Sequence, residues 1–148
     1  MRYSFCMNEN VKSRVDYTAP KEARIMVVDD EKGIRELFMK VISLHLPESS
    51  IDLAVNGAEA VERFQESKHN VIIMDLMMPV MDGEKAFFAI KRICDEKKWN
   101  MPAVIFCTGY APSDMLDRIV AEDKRHCVVT KPISTDKLFA LIRERLSA

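Results

Sequence analysis

Arg24-Ile25-Met26-Val27-Val28-Asp29-Asp30-Glu31-Lys32-Gly33-Ile34 holds, in one short stretch, an apolar run, an abrupt acidic stop and the opening of a helical period. The run Ile25 to Val28 is too short for a buried helix and apolar at every position, as a strand covered on both faces must be. After it, Ile34, Leu37, Phe38, Val41 and Ile42 recur at helical spacing and predict one core-facing stripe. A strand that ends on carboxylates and turns straight into a helix is one βα unit.

The same unit repeats to the end of the chain. Val71-Ile72-Ile73-Met74, Ala103-Val104-Ile105-Phe106-Cys107 and Cys127-Val128-Val129 are further strands, and Ile51 to Val55 fits a weaker one. Ala86, Phe87, Ile90 and Ile93 form a second helical stripe, and Leu138, Leu141 and Ile142 form a last one. Helices are also expected from Gly57 through Phe64 and after Pro112, where Pro112 or Ser113 opens the turn and Met115, Leu116, Ile119 and Val120 supply the apolar positions. Strict alternation of this kind predicts an α/β fold: a doubly wound, five-stranded parallel sheet of order 2-1-3-4-5, a flavodoxin-like (βα)5 sandwich with right-handed crossovers.

Composition sets outer limits. A chain of 148 residues, 48% hydrophobic, suits one domain with one core. With 22 basic and 23 acidic residues, the net charge of −1 gives no basic face for direct nucleic-acid binding. No stretch approaches the roughly 20 apolar residues that span a bilayer, and the N-terminus lacks a secretory apolar region, so no membrane is expected and a cytoplasmic location is. Cys6, Cys94, Cys107 and Cys127 have no metal-ligand spacing and read as reduced, structural thiols. Residues 1–21 carry no sustained period and close on Ala19-Pro20 ahead of the first strand, which reads as a flexible arm.

Ligands of a doubly wound sheet sit at the carboxyl ends of its strands. Those ends carry Asp29 and Asp30 after the first strand, Asp75 after the third, Thr108 after the fourth and Lys131 after the fifth. Three crowded carboxylates repel one another and raise their pKa values unless a cation and a lysine compensate. Mg²⁺ answers that need, because it takes oxygen ligands and is commonly held by one or two carboxylates plus a phosphate. Asp75 then becomes a nucleophile toward a phosphoryl group, Lys131 neutralises its oxygens, and the Thr108 hydroxyl donates to one of them. The incoming charge can pull Thr108 and the following Gly109-Tyr110 into a new arrangement, which makes a switch.

Val27-Val28-Asp29-Asp30, Met74-Asp75-Leu76-Met77-Met78-Pro79-Val80-Met81-Asp82-Gly83, Thr108-Gly109 and Lys131-Pro132, in that order, resemble the signature of the response-regulator receiver domain of two-component systems, chemotaxis regulators among them. The resemblance covers roughly 24–148, and residues 22–148 are read as the receiver domain. It implies Asp30 as the direct metal carboxylate, Asp29 acting largely through metal-bound water, the Met77 carbonyl as a further metal ligand and a cis peptide at Lys131-Pro132. It also implies a histidine kinase or phosphotransfer protein as phosphodonor, and a partner surface on the fourth helix, fifth strand and fifth helix, here Met115 to Val120 and Leu138 to Leu146. In the family an aromatic switch residue often stands three positions before the lysine; this chain has Val128 there, and Tyr110 is the candidate to take over part of that role. Met77 and Tyr110 are also the residues expected to shield a phosphoryl group from water.

The same residues admit other readings. Asp29 or Asp30 alone can be a helix N-cap, and Asp82 before Gly83 reads as one, with Gly83 serving the tight turn. His45, His69 and His126 share no ligand spacing and receive no function, and Trp99 reads as a partly covered loop anchor. The expected activity is a stand-alone phosphorylation switch, a phosphoacceptor that catalyses only its own phosphoryl transfer and dephosphorylation, because no output domain follows the fifth helix. The alternatives are a pseudo-receiver docking module, for which this complete residue set is unneeded, and an aspartate-nucleophile phosphatase, which would want its second carboxylate two residues after the first. A flavin or nucleotide site after the first strand is disfavoured by the acidic, glycine-poor Asp30-Glu31-Lys32-Gly33.

Overall fold

The computed structural model describes residues 23–109 and 113–147. In chain order they form β1 (Arg24–Val28), α1 (Lys32–His45), β2 (Ser50–Ala54), α2 (Gly57–Ser67), β3 (Val71–Asp75), α3 (Gly83–Lys97), β4 (Ala103–Thr108), α4 (Asp114–Glu122), β5 (Cys127–Thr130) and α5 (Thr135–Leu146). The strands pair in parallel in the order β2-β1-β3-β4-β5, as the alternation predicted. The expected arm, 1–21, and Tyr110 lie outside the described residues, as does Cys6.

Alternation along each strand feeds two cores, one per face. Ile25, Val27, Val71, Ile73, Ile105 and Cys107 pack beneath α1 and α5 against Phe38, Ile42, Leu138 and Ile142. Met26, Val28, Ile72, Met74, Val104 and Phe106 pack on the other side against Phe64, Phe87, Ile90, Leu116 and Ile119 of α2, α3 and α4. Burying an aliphatic or aromatic side chain is worth roughly 1.5–3 kcal/mol, so these two layers carry the fold. Two helical stripes proved narrower than predicted: Leu37 is 47% exposed and Met115 37%, because each lies at the margin of its stripe and the floor is already filled by Phe38 and Leu116.

Helix starts follow local chemistry. Asn56, Asp82, Ser113 and Ser134 are the N-caps of α2 to α5, each accepting a backbone N–H three residues on. Of the two openings proposed for α4, Ser113 is the cap. Neither Asp29 nor Asp30 caps α1: that position is Glu31, whose side chain makes no capping bond. Gly83 does serve the tight turn into α3, though not through a left-handed backbone. No described glycine has positive φ; the left-handed residue of the β3–α3 loop is the exposed Val80, at φ 71°. Gly83 is the first residue of α3 and is needed for close approach, since a Cβ there would strike the Asp75 carbonyl oxygen.

His126 has a structural role that its sequence context did not reveal. It is buried, its Nδ1 accepts the Val104 N–H at 3.0 Å, and its Nε2 faces Asp123 Oδ2 at 3.5 Å. The tautomer is therefore Nε2–H, and burial, opposed by Asp123, lowers its pKa to about 4. An unfolded histidine binds a proton near pH 6.5 that the folded one refuses until about 4, so this contribution to stability is complete above pH 6.5 and is lost as the pH falls toward 4. His69, likewise lowered by burial, acts with the same sign. Urea unfolding at pH 7 and pH 5 should show a loss of stability at pH 5 that His126→Gln reduces, with His69 acting in the same direction in both proteins; an unchanged loss in the variant would remove His126 as its source.

Candidate functional site

Four strand ends meet at the carboxyl edge of the sheet. Asp29 follows β1 and is buried, Asp75 is the last residue of β3 and is buried, Thr108 ends β4 with no exposure, and Lys131 follows β5 half-buried. Register explains the convergence. Asp75 pairs with Cys107, Thr108 with Thr130, and the Lys131 N–H donates to the Thr108 carbonyl at 2.7 Å, so the threonine and the lysine are placed by one extension of the β4–β5 ladder. The Lys131–Pro132 peptide is cis, as expected.

Carboxylate oxygens of Asp29, Asp30 and Asp75 lie within 4.8 Å of one another, with Asp30 on the solvent side. Lys131 Nζ stands 2.9 Å from Asp29 Oδ2 and 3.4 Å from Asp75 Oδ2. Asp29 is held at every polar handle. Its N–H donates to the Ala54 carbonyl, its Oδ1 accepts the Glu31 N–H at 2.9 Å, and its own carbonyl accepts Arg35 Nη1 at 2.7 Å. Asp75 is held less tightly: Oδ1 lies 3.4 Å from the Met77 N–H, a long contact.

Burial raises the pKa of Asp75; Lys131 opposes the shift, and the Asp29 charge adds to it. The direction is the one expected from crowded carboxylates, but desolvation leads and repulsion is secondary. Burial alone would lower the pKa of Lys131; its hydrogen bond to Asp29 and the charges of Asp29 and Asp75 overcome this and raise it. The ammonium is thus fixed in its charged form beside two carboxylates. Three carboxylates against this one contacting ammonium leave an excess of negative charge in a cluster whose donors are all oxygen, and that donor set fits a hard divalent cation.

Of the residues singled out from sequence, Asp29, Asp30 and Asp75 are in mutual reach, Lys131 contacts Asp29 and Asp75, and Thr108 ends the strand beside Asp75. Met77 meets Asp75 through its N–H, while its side chain is 60% exposed at the mouth of the site. Arg35 was not singled out: a basic residue on the polar side of an amphipathic helix carries no signal until the fold lays it on Asp29. The three described thiols lie outside this cluster. Burial pushes Cys107 up to about 12, and Cys94 and Cys127 are also raised by burial.

Comparison with known proteins agrees with this picture. Residues 25–143 match the model of the response regulator receiver domain. The chain is 32% identical over 125 residues to the chemotaxis protein CheY of Bacillus subtilis (strain 168), covering 84% of this chain and 98% of that one. It is 42% identical over 94 residues to a protein-glutamate methylesterase/protein-glutamine glutaminase of Aliivibrio fischeri, a match that takes in 64% of this chain but spans only 25% of the relative's length. Among solved structures, one from the CheX–CheY–BeF3–Mg²⁺ complex of Borrelia burgdorferi superposes with a TM-score of 0.68 at 18% identity, over 82% of this chain and 87% of that one, and so shares the fold. A family match running from the first core strand into the last helix, on a sheet whose strand order agrees, places the chain among the response regulator receiver domains.

Proposed function

We propose that Asp75 accepts a phosphoryl group from the phosphohistidine of a histidine kinase or phosphotransfer protein, and that residues 22–148 are the receiver unit while 1–21 form a flexible arm preceding it. The observation that carries the reading is the Asp29, Asp30 and Asp75 cluster with Lys131 between its two buried members. In the transfer an Asp75 carboxylate oxygen forms the new bond to phosphorus as the bond from phosphorus to the donor nitrogen breaks, and the donor keeps that electron pair. Lys131 leaves its carboxylate contacts for a phosphoryl oxygen, and Thr108, on the neighbouring strand, supplies a hydroxyl to another.

Asp29, Asp30 and Asp75, with the Met77 carbonyl, are the residues that would hold Mg²⁺, which when bound supplies charge neutralisation at the phosphoryl oxygens. The product replaces the single carboxylate charge at a buried strand end with a phosphoryl group of about two negative charges and three further acceptor oxygens, a change large enough to shift Thr108 and the loop after it. The chain is then a phosphoacceptor of the cytoplasm rather than an enzyme acting on a separate substrate, and it signals by protein contact. Of the expected partner surface, Met115 is exposed, whereas Leu116, Ile119, Leu138, Ile142 and Leu146 serve the core, so recognition there rests on the polar residues between them. With Val128 half-buried against Phe106 on β4, an aromatic flip at that position has no ring to use.

Incubation with acetyl phosphate and Mg²⁺, read by intact mass, should add one phosphoryl group to the wild type and none to Asp75→Asn. Omission of Mg²⁺ should suppress the gain. A folded wild type that gains nothing in its presence would instead support the docking-module reading.

A further inference from the structure

The opposite, amino edge of the sheet carries a cleft of about 580 Å³, between the ends of α2 and α3 and the segments that lead into β3 and β4. Its lining includes Lys68, Lys98, Arg125, Arg145, Trp99 and His69, and no carboxylate belongs to it. In a chain of net charge −1 that is a local excess of one sign, and a recess lined this way focuses its field on anions. Arg125 is already answered by Asp123 at 2.8 Å, and Arg145 is spent on the Arg125 and Leu141 carbonyls. Among the described residues no carboxylate lies within 4.0 Å of the ammonium of Lys68, Lys98 or the adjacent Lys97.

Trp99 stands at the centre of these charges. Its indole is set edge-on to Phe64 at 6.1 Å, with Lys68 Nζ 4.4 Å and Lys97 Nζ 4.8 Å from the ring centroid. Cations near helix C-termini offset the helix dipole, and that alone would account for basic residues at this edge. It does not account for two ammonium groups on one indole. Nor does it account for lysine at the left-handed caps of α2 and α3, where Lys68 has φ 51° and Lys98 φ 57° and glycine would be less strained. His69, a lining residue, is itself almost fully buried. His69 Nε2 lies 2.7 Å from the Asp52 carboxylate and so carries the proton, which leaves Nδ1 a buried acceptor without a partner.

We propose that this cleft binds a nucleoside polyphosphate. The lysine ammoniums take the phosphates and the base stacks on Trp99 in place of one lysine. The volume suits a ligand of this size. The site is independent of the acidic edge, so it stands whether or not Asp75 is the acceptor.

Trp99 is the single tryptophan of the chain, so its emission reads the cleft directly. Titrations with ADP, adenosine and inorganic tripolyphosphate in Mg²⁺-free buffer, corrected for ligand absorbance, should give saturable quenching by ADP about tenfold tighter than by either half-ligand. The double variant Lys68→Gly/Lys98→Gly should weaken ADP binding about tenfold or more while its thermal midpoint holds or rises. Asp75→Asn should bind as the wild type does. Absence of saturable quenching, tripolyphosphate matching ADP, or a double variant that keeps its affinity would each overturn the proposal. So would a lower midpoint in a double variant of unchanged affinity, which would assign the lysines to the helix ends.

Discussion

Lys131→Met is expected to slow phosphoryl uptake from acetyl phosphate about 100-fold while leaving Mg²⁺ affinity equal or higher, since removing one preorganised charge from a developing transition state commonly costs that much. The lysine is the ammonium in contact with the two buried carboxylates, at 2.9 Å from Asp29 and 3.4 Å from Asp75. It competes with a divalent cation for the same oxygens, so its loss should favour metal binding even as it impairs transfer. The two effects run in opposite directions, and that separates a charge that acts on the phosphoryl group from one that only holds the site together. Time courses by intact mass and Mg²⁺ titration by calorimetry check both. A variant phosphorylated at the wild-type rate would leave Lys131 with no part in the reaction.

Gly83→Ala should destabilise the protein by about 3 kcal/mol or more and abolish phosphorylation together with it. At an ordinary helical position the same change stabilises by roughly 0.5–1 kcal/mol, because alanine is the better helix former. Here the added methyl would meet the Asp75 carbonyl oxygen and lie 3.1 Å from Leu76 Cα, both backbone atoms that cannot rotate aside. Gly83 also donates its N–H to the Leu76 carbonyl at 3.0 Å, so α3 cannot back away without breaking that bond. Gly33, in the first turn of α1 with nothing within 4 Å of its would-be Cβ, is the matched control: Gly33→Ala should hold or raise stability. Urea unfolding of the two variants tests the contrast, and a Gly83→Ala protein as stable as the wild type would refute the close approach.

Strands β1, β3 and β4 were legible in the sequence because they are buried on both faces, which leaves unbroken apolar runs. β2 was fainter: at the sheet edge only one side is covered, and Ser50 and Asp52 interrupt the pattern. The site was legible for a related reason. A parallel sheet sends every strand's carboxyl end to one edge, so Asp29, Asp75, Thr108 and Lys131 declare their shared location by following apolar runs. Contacts made across the fold left no such trace. Arg35 reaches Asp29 only because α1 packs back over β1, and Gly83 is constrained by a carbonyl eight residues earlier that folds beneath it. His126 is set by the Val104 N–H of the neighbouring strand. The leading cause of the raised Asp75 pKa was hidden as well, since burial is a property of the packed structure.

The sheet is also a shared wall between two interiors that do not touch. Along β4, Phe106 faces α3 and meets Phe87 at 5.7 Å, while Cys107 faces the α1 and α5 layer. Thr108 ends the strand whose alternate residues are packed into both interiors, so a displacement of that strand end would bear on both, as a tug on one thread moves both sides of a cloth. On the function proposed above, one event at the carboxyl edge would act on two unlike layers, and partners on opposite sides of the molecule would read the same message without competing for a common patch.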